Sequence, residues 1–243
     1  MSLDHLLHAA LDVLFPPLCH VCRTFIAEPG RLHICPSCRE RMPGVISPLC
    51  TVCGTPFRGA GDDHVCGDCN VDRPSWTAAR SALLYEGACS DLIHAFKYRH
   101  RVHLRRPLAL LAIEYLDDFV RAAGPEVIIP VPLHPRRLRS RGFNQAVLIG
   151  ELFSRHWGIP LDRRALRRIR WTEPQVELPA AARSGNVKGA FAVTSPARVE
   201  GRRVLLVDDV LTTGSTLDEC ALVLRRGGAA GVYAATVARA VMP

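Results

Sequence analysis

The chain has 243 residues, 48% of them hydrophobic and 22% charged, and a formal net charge of +8. That length suits one large domain or a medium domain with a small module, and the balance reads as globular rather than disordered. No apolar run reaches the ~20 residues of a membrane span; "PLALLAIEYL" (107–116) is broken by Glu114.

Asp4 and the lack of a basic start argue against a signal peptide, so the chain is expected to stay in the cytoplasm, where thiols are kept reduced. Leu3, Leu6, Leu7, Ala10, Leu11 and Leu14 recur at helical spacing. They predict an amphipathic helix over 1–17, stopped by Pro16-Pro17 and packed on the main body as a strut.

A tandem repeat fills 18–72. "PLCHVCRT" from Pro17 is echoed 31 residues later by "PLCTVCGT" from Pro48, and "HICPSC" from His33 by "HVCGDC" from His64. Each copy is C-x2-C-x12-C-x2-C, so eight of the ten cysteines fall into two identical frames. In a reducing compartment such knuckles point to zinc rather than disulfides. Two cysteines two residues apart set both sulfurs on one side of a tight turn, and two turns complete a tetrahedron. A segment of about 30 residues buries too little apolar surface to fold alone, so the metal would supply its folding free energy.

Tandem repetition favours sequential ligation, by Cys19, Cys22, Cys35 and Cys38 on one ion and Cys50, Cys53, Cys66 and Cys69 on the other. Cross-bracing satisfies the same spacing. Four thiolates close the shell, so both ions are expected to be structural. His33 and His64 read as flanking repeat residues, and Cys89 and Cys220 as ordinary buried thiols.

Residues 1–75 hold 6 Lys/Arg and 8 Asp/Glu, a net of −2, and the remainder holds 25 and 15, a net of +10. Two loaded four-thiolate sites would take the first part to about −6. A module this acidic matches a phosphate backbone poorly, so docking or scaffolding is its first reading and nucleic-acid contact a weaker second. The basic residues cluster in "FKYRHRVHLRR" (96–106), "HPRRLRSRGF" (134–143) and "RRALRRIR" (163–170), the last read as a solvated face.

From residue 76 the pattern changes. A strand is predicted at 79–87, helices at 89–98 and 104–122, and a buried parallel strand in "EVIIPVPL" (126–133). A helix over 143–157 follows, with Asn144 as its cap. Strands at 190–193 and 202–210, a helix over 215–226 and a last strand at 231–240, closing the sheet, complete the series. Alternating strands and helices predict an α/β fold, a parallel sheet with helices on both faces.

"VLLVDDVLTTGSTLDE" (204–219) carries the chemistry. A buried strand, Val204 to Val207, ends in Asp208 and Asp209, and a small-residue turn then opens a helix. Ligands of open α/β sheets bind outside the carboxyl ends of the strands. Thr212, Thr213, Gly214, Ser215 and Thr216 bring hydroxyls and backbone N–H groups to a helix N-terminus, which favours an anion. The result is a phosphate cradle beside two carboxylates spaced to grip a vicinal diol or its magnesium ion. The three glycines of a dinucleotide fold and the Gly-Lys-Ser/Thr of a nucleotide-hydrolysing loop are both lacking.

These sixteen residues resemble the phosphoribosyl pyrophosphate (PRPP) motif of type I phosphoribosyltransferases. "PVPLHPRRLRSRGFNQA" (130–146), "TEPQVELPAAARSGNVKGAF" (172–191) and "YEGACSDLIHAFKY" (85–98) extend the likeness. Together with the knuckles, they make nearly the whole chain similar to the ComF family of competence-associated proteins. The family often has a glycine where this chain has Arg99-His100-Arg101.

The resemblance implies a double zinc ribbon (18–72) before a phosphoribosyltransferase-like domain (76–243), with a hood at about 76–126 and a core at about 127–243. It implies that Asp208 and Asp209 bind the ribose hydroxyls with Mg²⁺ nearby, and that residues 212–216 hold the 5′-phosphate. It also implies that His134, Arg136 and Arg137 face the pyrophosphate, and that 172–187 forms a mobile lid whose working residues are Gln175, Arg183 and Asn186. Asp209 is the candidate catalytic carboxylate.

Three readings remain open. One is a phosphoribosyltransferase acting on an unidentified base or nucleic-acid component. Another is a module that senses PRPP without turning it over. The third is a factor for DNA uptake or the processing of internalised DNA, whose ribbons recruit competence-machinery proteins and whose basic face touches single-stranded DNA. The complete cradle and lid favour turnover over sensing. Aromatic content of 6% argues against a strong stacking platform for single strands.

Overall fold

The computed structural model of the protein describes residues 16–172 and 187–241. The helix expected at 1–17 lies outside them apart from its two prolines, as do Gln175, Arg183 and Asn186 of the expected lid.

Six strands are described: β1 (Ala78–Leu84), β2 (Val127–Pro130), β3 (Leu166–Arg168), β4 (Phe191–Val193), β5 (Arg203–Leu211) and β6 (Gly231–Arg239). Short helices α1 (Pro36–Glu40) and α2 (Gly67–Val71) belong to the cysteine repeats. The main body carries α3 (Gly87–Tyr98), α4 (Arg105–Ala123), α5 (Pro135–Arg141), α6 (Gln145–Trp157) and α7 (Ser215–Arg226).

Four strands pair in the order β1-β6-β5-β2, all parallel. The last strand of the chain therefore does not close the sheet, as its position in the sequence suggested; it runs through the middle. The "AFAV" strand is also displaced from the parallel sheet, because β4 pairs antiparallel with β3 in a separate two-stranded sheet. Residues 76–126, expected as a hood, supply an edge strand to the main sheet, and α3 then carries Lys97 and Tyr98 to the strand ends.

A parallel sheet needs apolar cover on both faces, and alternation along β5 provides it. Leu205 and Val207 enter one layer with Phe96, Leu108, Ile149 and Phe153 from α3, α4 and α6. Val204 and Leu206 enter the other with Leu217 and Leu224 of α7 and Phe191 of β4. All four β5 residues are fully buried.

The two cysteine repeats straddle this sheet. Cys19, Ile26 and Cys38 join the first layer, whereas Cys50, Val52 and Cys69 join the second. The segment between the repeats runs along β1: Val45 N–H donates to Ala82 O (2.8 Å) and Leu84 N–H to Pro43 O (2.9 Å). That strap covers an edge that would otherwise offer unpaired backbone groups.

Gly54 shows how closely the second repeat sits. Its φ is +72°, and a Cβ there would meet the Ala79 carbonyl oxygen at 2.6 Å. Gly54→Ala should therefore destabilise the protein by about 2–4 kcal/mol through left-handed strain and backbone overlap; chemical denaturation with unchanged stability would refute this contact.

Candidate functional site

The register places the candidate residues at one rim. Asp208 is opposite Thr236 of β6, and Pro130 of β2 is opposite Val207. One more bond, Val131 N–H to Val207 O at 2.9 Å, holds the 131–134 segment beside the acids. Asn144 reinforces it from two sides. Its side-chain oxygen accepts from Ala146 N–H (2.9 Å), capping α6 as expected, and its Nδ2 donates to Val131 O (3.0 Å).

The two adjacent acids are not equivalent. Asp209 is 3% exposed, and its Oδ2 lies 2.9 Å from Lys97 Nζ. The pair is close without a well-angled hydrogen bond. Burial opposes the Lys97 charge, but the carboxylates of Asp209 and Asp208 overcome it and raise the lysine above its ordinary value. Asp208 stays partly open to the cleft and accepts from the Asp209 N–H at 2.9 Å. Burial, and then the Asp209 charge, push its carboxyl up to about 7 against the opposing pull of Lys97.

A cleft of about 430 Å³ opens over these acids and also takes in Arg137, Arg168, Thr212, Thr213 and Thr216. Gly214 and Ser215 face a neighbouring cavity of about 620 Å³ instead, with Thr213 shared between the two. Gly214 adopts φ +83° at the start of α7 and supplies the left-handed bend by which the turn enters the helix.

His134 and Arg136 are placed elsewhere. Their side chains frame Trp171, the His134 ring 5.2 Å from the indole and the Arg136 guanidinium 5.7 Å from its centroid. His134 also caps α5, accepting from Arg136 N–H at 3.2 Å.

Each cysteine repeat closes on itself. The sulfurs of Cys19, Cys22, Cys35 and Cys38 lie within 4.8 Å of one another, as do those of Cys50, Cys53, Cys66 and Cys69. Tetrahedral zinc with bonds of about 2.3 Å sets its sulfurs about 3.8 Å apart. Cys22 and Cys35 stand at 3.6 Å and Cys53 and Cys66 at 3.8 Å, so both quartets fit the ion. Ligation is sequential rather than cross-braced. Backbone N–H groups of Cys53 and Cys66 point at the Cys50 sulfur (3.4 and 3.3 Å), as a thiolate requires. These are two four-cysteine zinc sites. Cys89 and Cys220 are fully buried thiols.

The double zinc ribbon family matches residues 10–70, and the phosphoribosyl transferase domain family matches 155–241. Competence protein F of Haemophilus influenzae is 39% identical over 171 residues, 69% of this chain and 75% of that protein. DNA utilization protein YhgH of Escherichia coli is 38% identical over 162 residues, 65% of this chain and 70% of that one. The chain belongs to the competence protein F family. Among solved structures, a purine phosphoribosyltransferase of Pyrococcus horikoshii aligns at 22% identity over 56% of this chain and 78% of that one, with a TM-score of 0.35.

The likeness to the family reaches Lys97 without fixing its role, Trp76 carries no sequence signal, and Arg168 falls in a run that reads as a solvated face. In the fold, Arg168 reaches both the 430 Å³ cleft and the adjoining groove, its guanidinium 5.2 Å from the Phe191 ring centroid and donating to Thr172 Oγ1. Its Nε is buried without a hydrogen-bond partner among the described residues. Among those residues, no helix is long and apolar enough to cross a membrane.

The raised Asp208 carboxyl has a measurable consequence. The folded state keeps a proton that the unfolded state releases near 3.8, so this contribution is full below that value and lost as pH rises through about 7. Between about pH 4 and 8, the melting temperature of the wild type should fall relative to that of Asp208→Asn. Parallel calorimetric curves for the two proteins would show an ordinary carboxyl at this position.

Proposed function

We propose that the protein binds PRPP with Mg²⁺ at the carboxyl end of β5 and serves the handling of DNA as a phosphoribosyltransferase-like component. One observation carries this reading: Asp208 and the turn opening α7 stand at the same rim, sharing a cleft with Arg137 and Arg168. The family match over 155–241 supports it, as do relatives named for competence and DNA utilization.

In this reading Asp208 accepts hydrogen bonds from the ribose hydroxyls. The 212–216 turn receives the 5′-phosphate on the backbone N–H groups at the start of α7. Arg137 and Arg168 meet the pyrophosphate. Asp208 would also help to hold a magnesium ion, which would supply positive charge against that leaving group. Asp209, paired with Lys97, orients the ammonium over the sugar rather than serving as a base.

During transfer, the bond from the anomeric carbon to pyrophosphate breaks, and the electron pair leaves with pyrophosphate. The acceptor's lone pair forms the new bond, and its proton passes to the medium. The chain's task is orientation and charge stabilisation.

PRPP with Mg²⁺ should raise the melting temperature, and the double variant Asp208→Ala, Asp209→Ala should abolish that shift. Arg168→Ala should weaken binding about tenfold to a hundredfold, the worth of one charge-assisted hydrogen bond. An unaltered shift in the double variant would remove the site from this rim.

A compatible second reading, contact with single-stranded DNA, is favoured by Trp171. This indole is 39% exposed and framed by the His134 ring and the Arg136 guanidinium, a stacking surface beside a cation. Affinity for a single strand should fall steeply with salt, and Trp171→Ala should lower it further. Filter binding with no retention at low salt would discard this reading.

A further inference from the structure

The second zinc site and the 212–216 turn are parts of one contact. Trp76 is 5% exposed, and its indole Nε1 donates to the Val52 carbonyl oxygen at 3.2 Å. Val52 lies inside the Cys50–Cys53 knuckle, so the direction of that carbonyl follows the fold of the metal loop. The other end of the same ring closes on the turn. A Cβ on Gly214 would lie 2.7 Å from Trp76 Cη2, so the indole edge fills the space any side chain there would occupy.

Two further ties run in parallel. Arg239, at the end of β6 and opposite Leu211 of β5, donates to the Cys53 carbonyl oxygen at 2.7 Å and to Thr55 Oγ1. Ser75 N–H donates to Asp218 Oδ1 at 2.5 Å, in the first turn of α7. The strand β6 that pairs with the end of β5, the turn itself and the helix after it are thus each fastened to the second ribbon or to the segment leaving it. The first ribbon packs on the opposite face of the sheet, where Arg39 pairs with Glu114 at 2.5 Å.

We propose that Trp76 is the positioning residue of the 212–216 turn and that the second zinc site holds it in place. Occupancy of that site, and not of the first, then sets how tightly the protein takes a sugar 5′-phosphate. The inference rests on the reading of the turn as a 5′-phosphate cradle. Without the four-cysteine loop, the Val52 carbonyl loses its fixed direction and the indole its anchor. The turn then loses the surface that holds Gly214 in its left-handed bend and directs the following N–H groups to one point.

The test uses the full zinc-loaded chain and two probes by titration calorimetry, ribose 5-phosphate and pyrophosphate with magnesium. Trp76→Phe keeps an aromatic core residue but lacks both Nε1–H and the outer ring edge. It should weaken ribose 5-phosphate about tenfold and leave pyrophosphate within about twofold. A merely structural role would lower the melting temperature and affect both probes alike.

Cys66→Ser should reproduce the selective loss, whereas Cys22→Ser, in the first site, should bind ribose 5-phosphate as the wild type does. Wild-type affinity in Trp76→Phe, equal loss of both probes, or equal effects of the two cysteine variants would each overturn the proposal. A wild type that takes neither PRPP nor ribose 5-phosphate would instead fail the cradle reading itself. Should Cys66→Ser not fold, Trp76→Phe decides alone.

Discussion

Strand β5 has apolar layers on both faces, so it can first carry carboxylates without burying unpaired charge where its pairing with β2 ends. Asp208 and Asp209 stand just past that point, on the part of β5 that still pairs with β6, and adjacent residues of a strand point in opposite directions. One acid therefore opens to the cleft while the other turns inward. Asp209 is tolerable there because Lys97 of α3 meets it at 2.9 Å. Removing one partner of such a pair would leave an uncompensated buried charge, far costlier than the pair itself. The ion pair thus fixes α3 over the strand ends and leaves Asp208 as the carboxylate available to a ligand.

The ribbons solve a different problem. A tandem pair of short segments has too little core to fold independently, and zinc supplies what burial cannot. Yet the two metal loops do not stand apart from the main body. Each contributes cysteines to one of the two apolar layers, and the strap between them pairs with the edge strand β1. The zinc module is built into the walls of the sheet, so its metal-dependent folding and the folding of the larger body are not separable steps.

Much of this was legible in the sequence because its causes are local. The repeat of C-x2-C knuckles fixes sulfur geometry within a few residues. The "VLLV" run, followed by two acids and a small-residue turn, states burial, exit and helix start in one stretch. What was not legible depends on long-range packing. Parallel strand order leaves no periodic trace, so β6 reads as a closing strand although it runs between β1 and β5. Arg168 sits among five arginines in eight residues, and the run reads as a solvated face until Phe191 and Thr172 are brought against it. His134 and Arg136 sit in a basic run that suits an anion, but the turn of α5 sends them to Trp171, while Arg137 lines the cleft.

The turn at 212–216 divides two cavities of opposite character, and that asymmetry directs how a polyanion can approach. On one side are Arg137, Arg141 and Arg168, with Lys97 beneath them. On the other, Asp68 and Asp72 of the second zinc ribbon stand with Asp218 and Glu219, and the loaded centre of that ribbon adds a charge of about −2. The cations of that second cavity are Lys188 and Arg239, and Arg239 is held by Cys53 and Thr55. Field lines from the acidic wall repel phosphate, whereas the arginine wall draws it in. In the proposed reading, a phosphorylated sugar would arrive from the α5 and β3 side, with its 5′-phosphate reaching the turn across the open carboxylate of Asp208. The net positive charge of the chain is therefore less informative than its separation across this one turn.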